Sequence, residues 1–345
     1  VIETFTEDQL LLRSTAKEFA ERELSHRAER VEAEGVDAEL REKLASAGFL
    51  GATVPSKYGG AELDSVGFML ALQEMAKVSP TTALFVLIQN FAGRALATAK
   101  LGDSFLPDVV SGKLVATVSL EDALGQGEPL RVEGDRVRGE RNYLLLPKAD
   151  VVLVQGPKLL IALTEGIREV KREVSLGFRG LGLSKVVVDS PLRTFTEVDG
   201  DFLGNLLYGA SLEVAAIALG MAQGALQRAI DYARSRRAFN ALLAEFQPLA
   251  FELLQYDSEV RAIERFVYSV EKDSIEAGEA KLMALDLARR TARMSLQVHG
   301  GYGYFEYTGV EKFYRDSAAL ESLTTHYLGE RARLANSLLG VEPKY

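Results

Sequence analysis

Two stretches of the chain carry residue types suited to gripping an anionic ligand. One is RSRRAFNALLAEFQ (Arg234–Gln247), where a basic cluster at the end of a helical pattern includes Arg236, with Phe239 and Gln247 behind it. A guanidinium suits a diphosphate better than an ammonium does, because its planar fork donates two parallel hydrogen bonds. The other is QVHGGYGY (Gln297–Tyr304). Gly300 and Gly301 lack Cβ atoms, so backbone amides there can come close to a ligand. Taken alone, a basic helix end is commonly a solvated cap and a Gly-Gly pair a helix stop. His299 is expected to pack rather than react.

Composition narrows the chemistry further. The 345 residues are 47% hydrophobic, enough for a large core and two or three packed lobes. A net charge of −9 and a pI near 5.2 advertise no basic surface for DNA, RNA or acidic lipid. There are no cysteines, which excludes disulfides, thiolate zinc sites and a cysteine nucleophile. His26, His299 and His326 are too few and too scattered for a His-based metal site, and none is expected. No signal-peptide layout and no apolar run of about 18 residues is present, so the expectation is a soluble cytoplasmic protein.

Three segments must position these residues. Residues 1–112 read as helices. Thr6 followed by Glu7, Asp8 and Gln9 is an N-cap pattern, and Leu10, Phe19, Leu24 and Ala28 fall roughly on one stripe. A second helix carries Leu40, Leu44 and Ala47 and stops at Gly48. VPSKYGG is a Pro/Gly-bounded loop, and apolar helices follow over about 64–77 and 80–100. Residues 113–203 carry β-branched runs broken by turn pairs at Gly134-Asp135 and Gly156-Pro157-Lys158. With no helix between the strands, this predicts an antiparallel sheet domain and argues against a Rossmann unit. Residues 204–345 return to long helices, with Leu212, Ala215, Leu219, Ala222, Leu226, Ala229 and Ala233 at three- and four-residue steps. Two further helices are expected over about 245–276 and 277–299.

In this order, helical lobe, β domain, helical bundle, the chain resembles the acyl-CoA dehydrogenase family. The resemblance runs over almost the whole length and is weakest in the β domain. AGFLGATVPSKYGGAELD (Ala47–Asp64) is similar to the loop closing the family's first lobe. RSRRAFNALLAEFQ looks like its "R-x-x-F-G … Q" segment, with Asn240 in place of the usual Gly. QVHGGYGY, spaced from YRD (Tyr314–Asp316) much as in the family, looks like its "Q-x-x-G-G-x-G" turn. GFRGLGLSKVVVD (Gly177–Asp189) looks like its "G-x-R-x-S" strand pair, with Arg179 in a structural role.

The resemblance implies a mainly helical α+β fold with a central antiparallel β domain and a C-terminal four-helix bundle. It implies FAD as cofactor and an acyl-CoA thioester as substrate. An electron-transferring flavoprotein is the implied acceptor, and a homodimer, homotetramer or hetero-oligomer the implied assembly. Arg236, Phe239, Gln247, Gln297, Gly300 and Gly301 are the residues it would place against the adenine and diphosphate end of FAD held mainly by a neighbouring subunit. Tyr143 would stand in for the aromatic wall of the family's "W-I-T-N" strand, where Leu145 brings no hydroxyl. Glu121–Pro129 replaces the family's "T-E-P … G-S-D" loop.

The family removes an α-proton with a Glu while hydride leaves the β-carbon for the flavin. An α-C–H is so weak an acid that a poised carboxylate is required. Eight residues beyond Asp316, the usual slot holds Thr324, and the alternative slot holds Arg237. Neither can accept the proton near neutral pH. Glu321, one helical turn before Thr324, and His326 are the remaining candidates. Three readings follow. The chain is an acyl-CoA dehydrogenase with a relocated base, a subunit without catalysis that completes a partner's FAD site, or a flavin oxidase or monooxygenase offshoot.

Overall fold

The computed structural model describes residues 5–156, 158–325, 327–341 and 343. The chain forms two compact units that interleave along the sequence. One comprises the chain up to Glu29, Met69–Ala83 and everything from Ser211; the other comprises Arg30–Phe68 and Leu84–Ala210.

The first unit is helical. Thr6 caps its first helix, Glu7–Phe19, through a reciprocal pair: Thr6 Oγ1 accepts from Gln9 N at 3.2 Å and Thr6 N donates to Gln9 Oε1 at 3.0 Å. A π-helical turn, Ala20–Leu24, follows directly. The inward face of this segment is Ala16, Phe19, Ala20 and Leu24, whereas Leu10 is half exposed. The stripe read from the sequence therefore wrongly includes Leu10. Leu10 and Phe19 are nine residues apart on one regular α-helix, which at about 100° per residue sets them on opposite faces.

The centre of this unit is the pair of helices Ser211–Ser235 and Ile275–His299, with Gln247–Ser269, Glu311–Thr324 and Tyr327–Leu339 around them. Small residues let the backbones close in. Ser295 Oγ donates across the pair to the carbonyl of Ala225 at 2.8 Å. A Cβ on Gly224 would lie 2.4 Å from the carbonyl oxygen of Lys77, so only glycine fits there. The sequence reading runs one helix to residue 276. The structure ends it at Ser269, and Ser274 opens the next by accepting from Ala277 N.

The second unit is built on two four-stranded sheets. Their strands are β1 (Ala116–Val118), β2 (Arg131–Glu133), β3 (Arg136–Leu145), β4 (Val151–Gly156), β5 (Leu159–Leu163), β6 (Ile167–Glu173), β7 (Leu183–Pro191) and β8 (Phe195–Glu197). The orders are β1-β4-β5-β8 and β2-β3-β7-β6. Gly134 and Asp135 turn β2 into β3, and β4 pairs antiparallel with β5, as the turn chemistry predicts. All pairs are antiparallel except β1 with β4, because β2 and β3 lie between them in sequence and belong to the other sheet. Val137, Leu144, Val152, Val154, Ile161, Val186 and Val188 form one apolar core. β6 was not foreseen. Its sequence, IREVKRE, is that of a charged edge strand, and it buries almost nothing.

In the same unit, Gln89 holds β1 from the helix Pro80–Thr98. Its side chain accepts from Ala116 N at 2.9 Å and donates to Ala116 O at 2.7 Å. This satisfies a buried polar side chain and an edge-strand amide together. No single helix is long and apolar enough to cross a membrane among the described residues.

Candidate functional site

The two ligand-gripping stretches meet in the first unit. After the helix Ser211–Ser235, strands β9 (Arg237–Ala238) and β10 (Ala241–Leu242) make a minimal hairpin. Its two central residues, Phe239 and Asn240, both have left-handed backbones, with φ of 52° and 65°. That is the two-residue turn matching the twist of paired strands. Asn tolerates this region among non-glycine residues, so Asn240 can occupy the family's Gly position at little cost. Phe239 is an uncommon occupant, and it stands 93% exposed, edge-on to Phe246 with ring centroids 6.4 Å apart. A strained, solvent-facing aromatic ring is a feature that folding alone does not demand. Gln247 opens the next helix and is exposed.

Arg236 precedes the hairpin and lies over the ring of Tyr302, its guanidinium carbon 5.4 Å from the centroid. Among the described residues it has no carboxylate partner, and it is exposed. With Tyr232, His299, Tyr302, Tyr307 and Thr308 it lines a groove of about 430 Å³. Tyr232 was missed in the sequence, yet it lies one helical turn before Arg236 and so shares its face. Its ring stacks on His299 with centroids 4.3 Å apart. His299 Nδ1 lies 2.8 Å from the carbonyl oxygen of Ser295, which can only accept, so the proton resides on Nδ1. His299 packs.

The glycine turn forms the adjoining edge. Gln297 is exposed in the last turn of the helix Ile275–His299, and Gly300 N donates back to the Gln297 carbonyl. Gly300 has φ 57° and ψ −137°, a backbone accessible in practice only to glycine. A Cβ on Gly300 or on Gly301 would meet nothing within 4 Å. Gly301 has no left-handed φ either, so nothing in its own chain requires a glycine there. An unpaired guanidinium, a bare glycine edge and outward aromatic rings fit a dinucleotide's diphosphate and adenine.

The base locus differs in character. Thr324 is the last residue of the helix Glu311–Thr324; it is buried and donates its hydroxyl to the Leu320 carbonyl at 2.6 Å. As the last residue of that helix, it has its own N–H in the helical ladder. Glu321 lies 3.1 Å from Arg331 and 3.7 Å from Arg289. Lys281, absent from the sequence reading, is buried here and donates to the Thr324 carbonyl at 3.3 Å and to Glu330 at 2.6 Å. Burial pushes its ammonium below the ordinary lysine range, with Glu330 opposing the shift. His326 lies outside the described residues. Arg237 is exposed in β9.

Tyr143 belongs to the second unit, exposed on β3, while Leu145 is buried. Nearby, Glu121 and Asp122 serve structure. Glu121 accepts from Asn142 N at 2.7 Å, and Asp122 meets the buried guanidinium of Arg141 at 2.6 Å. Among the described residues no group of three or more His, Cys, Asp or Glu could hold a metal ion.

The sequence model for the acyl-CoA dehydrogenase N-terminal domain matches residues 6–113, and that for the C-terminal domain matches residues 203–324. The 3-(aryl)acrylate reductase of Clostridium sporogenes is 28% identical, over 90% of this chain and 93% of that protein. Subunit CarC of the caffeyl-CoA reductase-Etf complex of Acetobacterium woodii is 27% identical, over 90% and 93%. The structure of butyryl-CoA dehydrogenase from Megasphaera elsdenii superimposes with a TM-score of 0.85 at 25% identity, covering 97% of this chain and 99% of that one. Helical N-terminal region, β sheets, helical C-terminal region and matched sequence models together place the chain in the acyl-CoA dehydrogenase family of FAD-dependent oxidoreductases.

Proposed function

We propose that this chain serves the α,β-dehydrogenation of an acyl-CoA thioester, or its reversal, as a subunit that completes a neighbouring subunit's FAD site and does not supply the base. One contrast carries the reading. At the base locus Glu321 is paired with Arg331 and Glu330 with Lys281, whereas at the cofactor face Arg236 has no acid among the described residues. Both carboxylates are already committed to cations by hydrogen bonds, whereas an unpaired guanidinium is a ready anion receptor.

FAD, when bound, takes up or returns the hydride at the substrate β-carbon. Arg236 would hold the diphosphate, Gly300 and Gly301 would let backbone approach it, and Phe239 would lie against the adenine end. Gln247 and Gln297 would supply side-chain amides around the same end. The α-proton is a separate matter. Thr324 commits its hydroxyl to Leu320, so it neither accepts a proton nor positions an acceptor. Reduction of a double bond conjugated to a thioester, the direction named for two of the relatives, needs a proton delivered to the same carbon. The lack of a carboxylate counts equally in both directions. An electron-transferring flavoprotein is the proposed electron partner, in keeping with the complex named for CarC.

The test is flavin stoichiometry. Purified alone, the chain should hold much less than one FAD per chain, and acyl-CoA should not bleach what it holds. Co-purified with a family member bearing the usual Glu, the assembly should gain flavin, and acyl-CoA should bleach it anaerobically. A chain that alone carries one FAD, bleached by acyl-CoA, refutes the proposal. Turnover with molecular oxygen by the chain alone would refute it in favour of an oxidase.

A further inference from the structure

We infer that the second unit carries a binding site for an organic diphosphate, in a cleft of about 550 Å³ lined by none of the residues assigned to FAD. Its walls come from the turn that opens the helix Ala38–Ser46, the loop after β3, the end of β6 and the turn before β7.

The argument rests on how its charges are partnered. Arg41, on the helix, has its Nε shut off from solvent with no hydrogen-bond partner among the described residues. A guanidinium N–H buried without an acceptor is costly, and native structures seldom keep one without a purpose. Lys148, on the loop after β3, is exposed and forms no ion pair among the described residues. Among the described residues Arg172 reaches only Glu169, at 3.9 Å, and it lies against Gly182, where a Cβ would come within 2.8 Å of its Nη2. Glycine at that position gives the guanidinium its place.

Three carboxylates also line the cleft, but each is engaged by a cation outside it or by backbone. Glu34 and Asp37 pair with Arg30 at 2.9 and 3.2 Å, and Asp37 also accepts from Leu40 N. Glu173 pairs with Lys171 at 2.8 Å. The cleft thus presents cations in need of an anion and acids already engaged elsewhere, two of them by the one guanidinium of Arg30. Guanidinium groups on separate elements suit an anion with several oxygens, and a diphosphate offers them. Phe85 and Val115 on the wall, in a space well beyond one phosphate group, leave room for an organic body. Such a diphosphate belongs either to a free nucleotide or to coenzyme A.

The test is titration calorimetry on the full chain with inorganic pyrophosphate, ADP and coenzyme A, repeated on Arg236→Gln so that the first unit's anion face does not contribute. Binding is expected to survive Arg236→Gln, to weaken at least about tenfold in Arg41→Gln, and to weaken about threefold in the exposed Lys148→Gln. ADP binding more tightly than coenzyme A identifies a nucleotide site; the reverse order identifies a coenzyme A site. Failure of all three probes to bind overturns the inference. So does wild-type affinity in both Arg41→Gln and Lys148→Gln. If Arg41→Gln does not fold, Lys148→Gln alone decides.

Discussion

The Nζ of Lys281 lies 2.6 Å from Oε2 of Glu330, with their side chains only 2% and 9% exposed. The pair joins the helix Ile275–His299 to the helix Tyr327–Leu339 across the end of the helix that carries Thr324. Breaking a buried ion pair leaves one charge without compensation, at a cost of about 3–5 kcal/mol. Replacing both partners with apolar groups of similar volume removes that cost. Lys281→Met should therefore destabilise strongly, and the double variant Lys281→Met/Glu330→Leu should recover most of the loss. Denaturant unfolding of the wild type, both single variants and the double variant measures the coupling. Two single effects that simply add would show that the pair is not coupled.

Glu321 tests the base assignment directly. With its carboxylate between Arg331 and Arg289, Glu321→Gln should leave any acyl-CoA-dependent bleaching of an assembled, flavin-loaded protein unchanged. Its stability cost should be about 1 kcal/mol or less, since both arginines are substantially exposed. Stopped-flow bleaching with flavin content held equal is the measurement. Loss of bleaching in Glu321→Gln would make this residue the proton acceptor.

What the sequence disclosed and what it hid follow one physical division. Thr6 with Gln9, Gly134 with Asp135, and the Gly300 turn were legible because a cap, a hairpin or a glycine backbone is dictated by residues within a few positions. The inward helix face around Leu10 misled because Leu10 is apolar yet sits about half a turn round the helix from Phe19, on the solvent side. Lys281 with Glu330, and Arg141 with Asp122, were invisible because each joins residues far apart in sequence, and a charged residue read alone looks like surface. The tyrosines around Arg236 were half legible: Tyr232 shares its helical face, whereas Tyr302 arrives from another helix end.

Tyr268 should set an alkaline limit to stability. Its hydroxyl donates to Gln73 Oε1 at 2.6 Å, and burial, reinforced by the charge of Glu264, raises its pKa well above the ordinary tyrosine value. A group whose folded pKa exceeds its unfolded value adds stability that is complete below the unfolded pKa and is lost as pH rises through the folded one. Thermal stability should therefore decline above about pH 10. Tyr268→Phe should flatten that decline while costing about 1–3 kcal/mol at neutral pH, because the buried Oε1 of Gln73 loses its donor. Melting temperatures across alkaline pH for both proteins check the sign. An unchanged slope in Tyr268→Phe would assign the limit to other groups.

The cofactor face yields a pair of substitutions that separates folding from binding. Gly300→Ala forces a side chain onto φ 57° and ψ −137°, and strain of about 1–3 kcal/mol should appear as lost stability even without flavin. Gly301→Ala has open space and no left-handed φ, so the melting temperature of the flavin-free protein should hardly move. If backbone at Gly301 approaches a diphosphate, the added methyl group should nonetheless weaken FAD binding in the assembled protein about tenfold or more, as should Arg236→Lys, which keeps the charge and loses the fork. Flavin titration by fluorescence quenching, alongside thermal melts of the flavin-free protein, distinguishes the effects. Unaltered FAD affinity in Gly301→Ala and in Arg236→Lys would remove the groove from the cofactor site and leave its glycine unexplained.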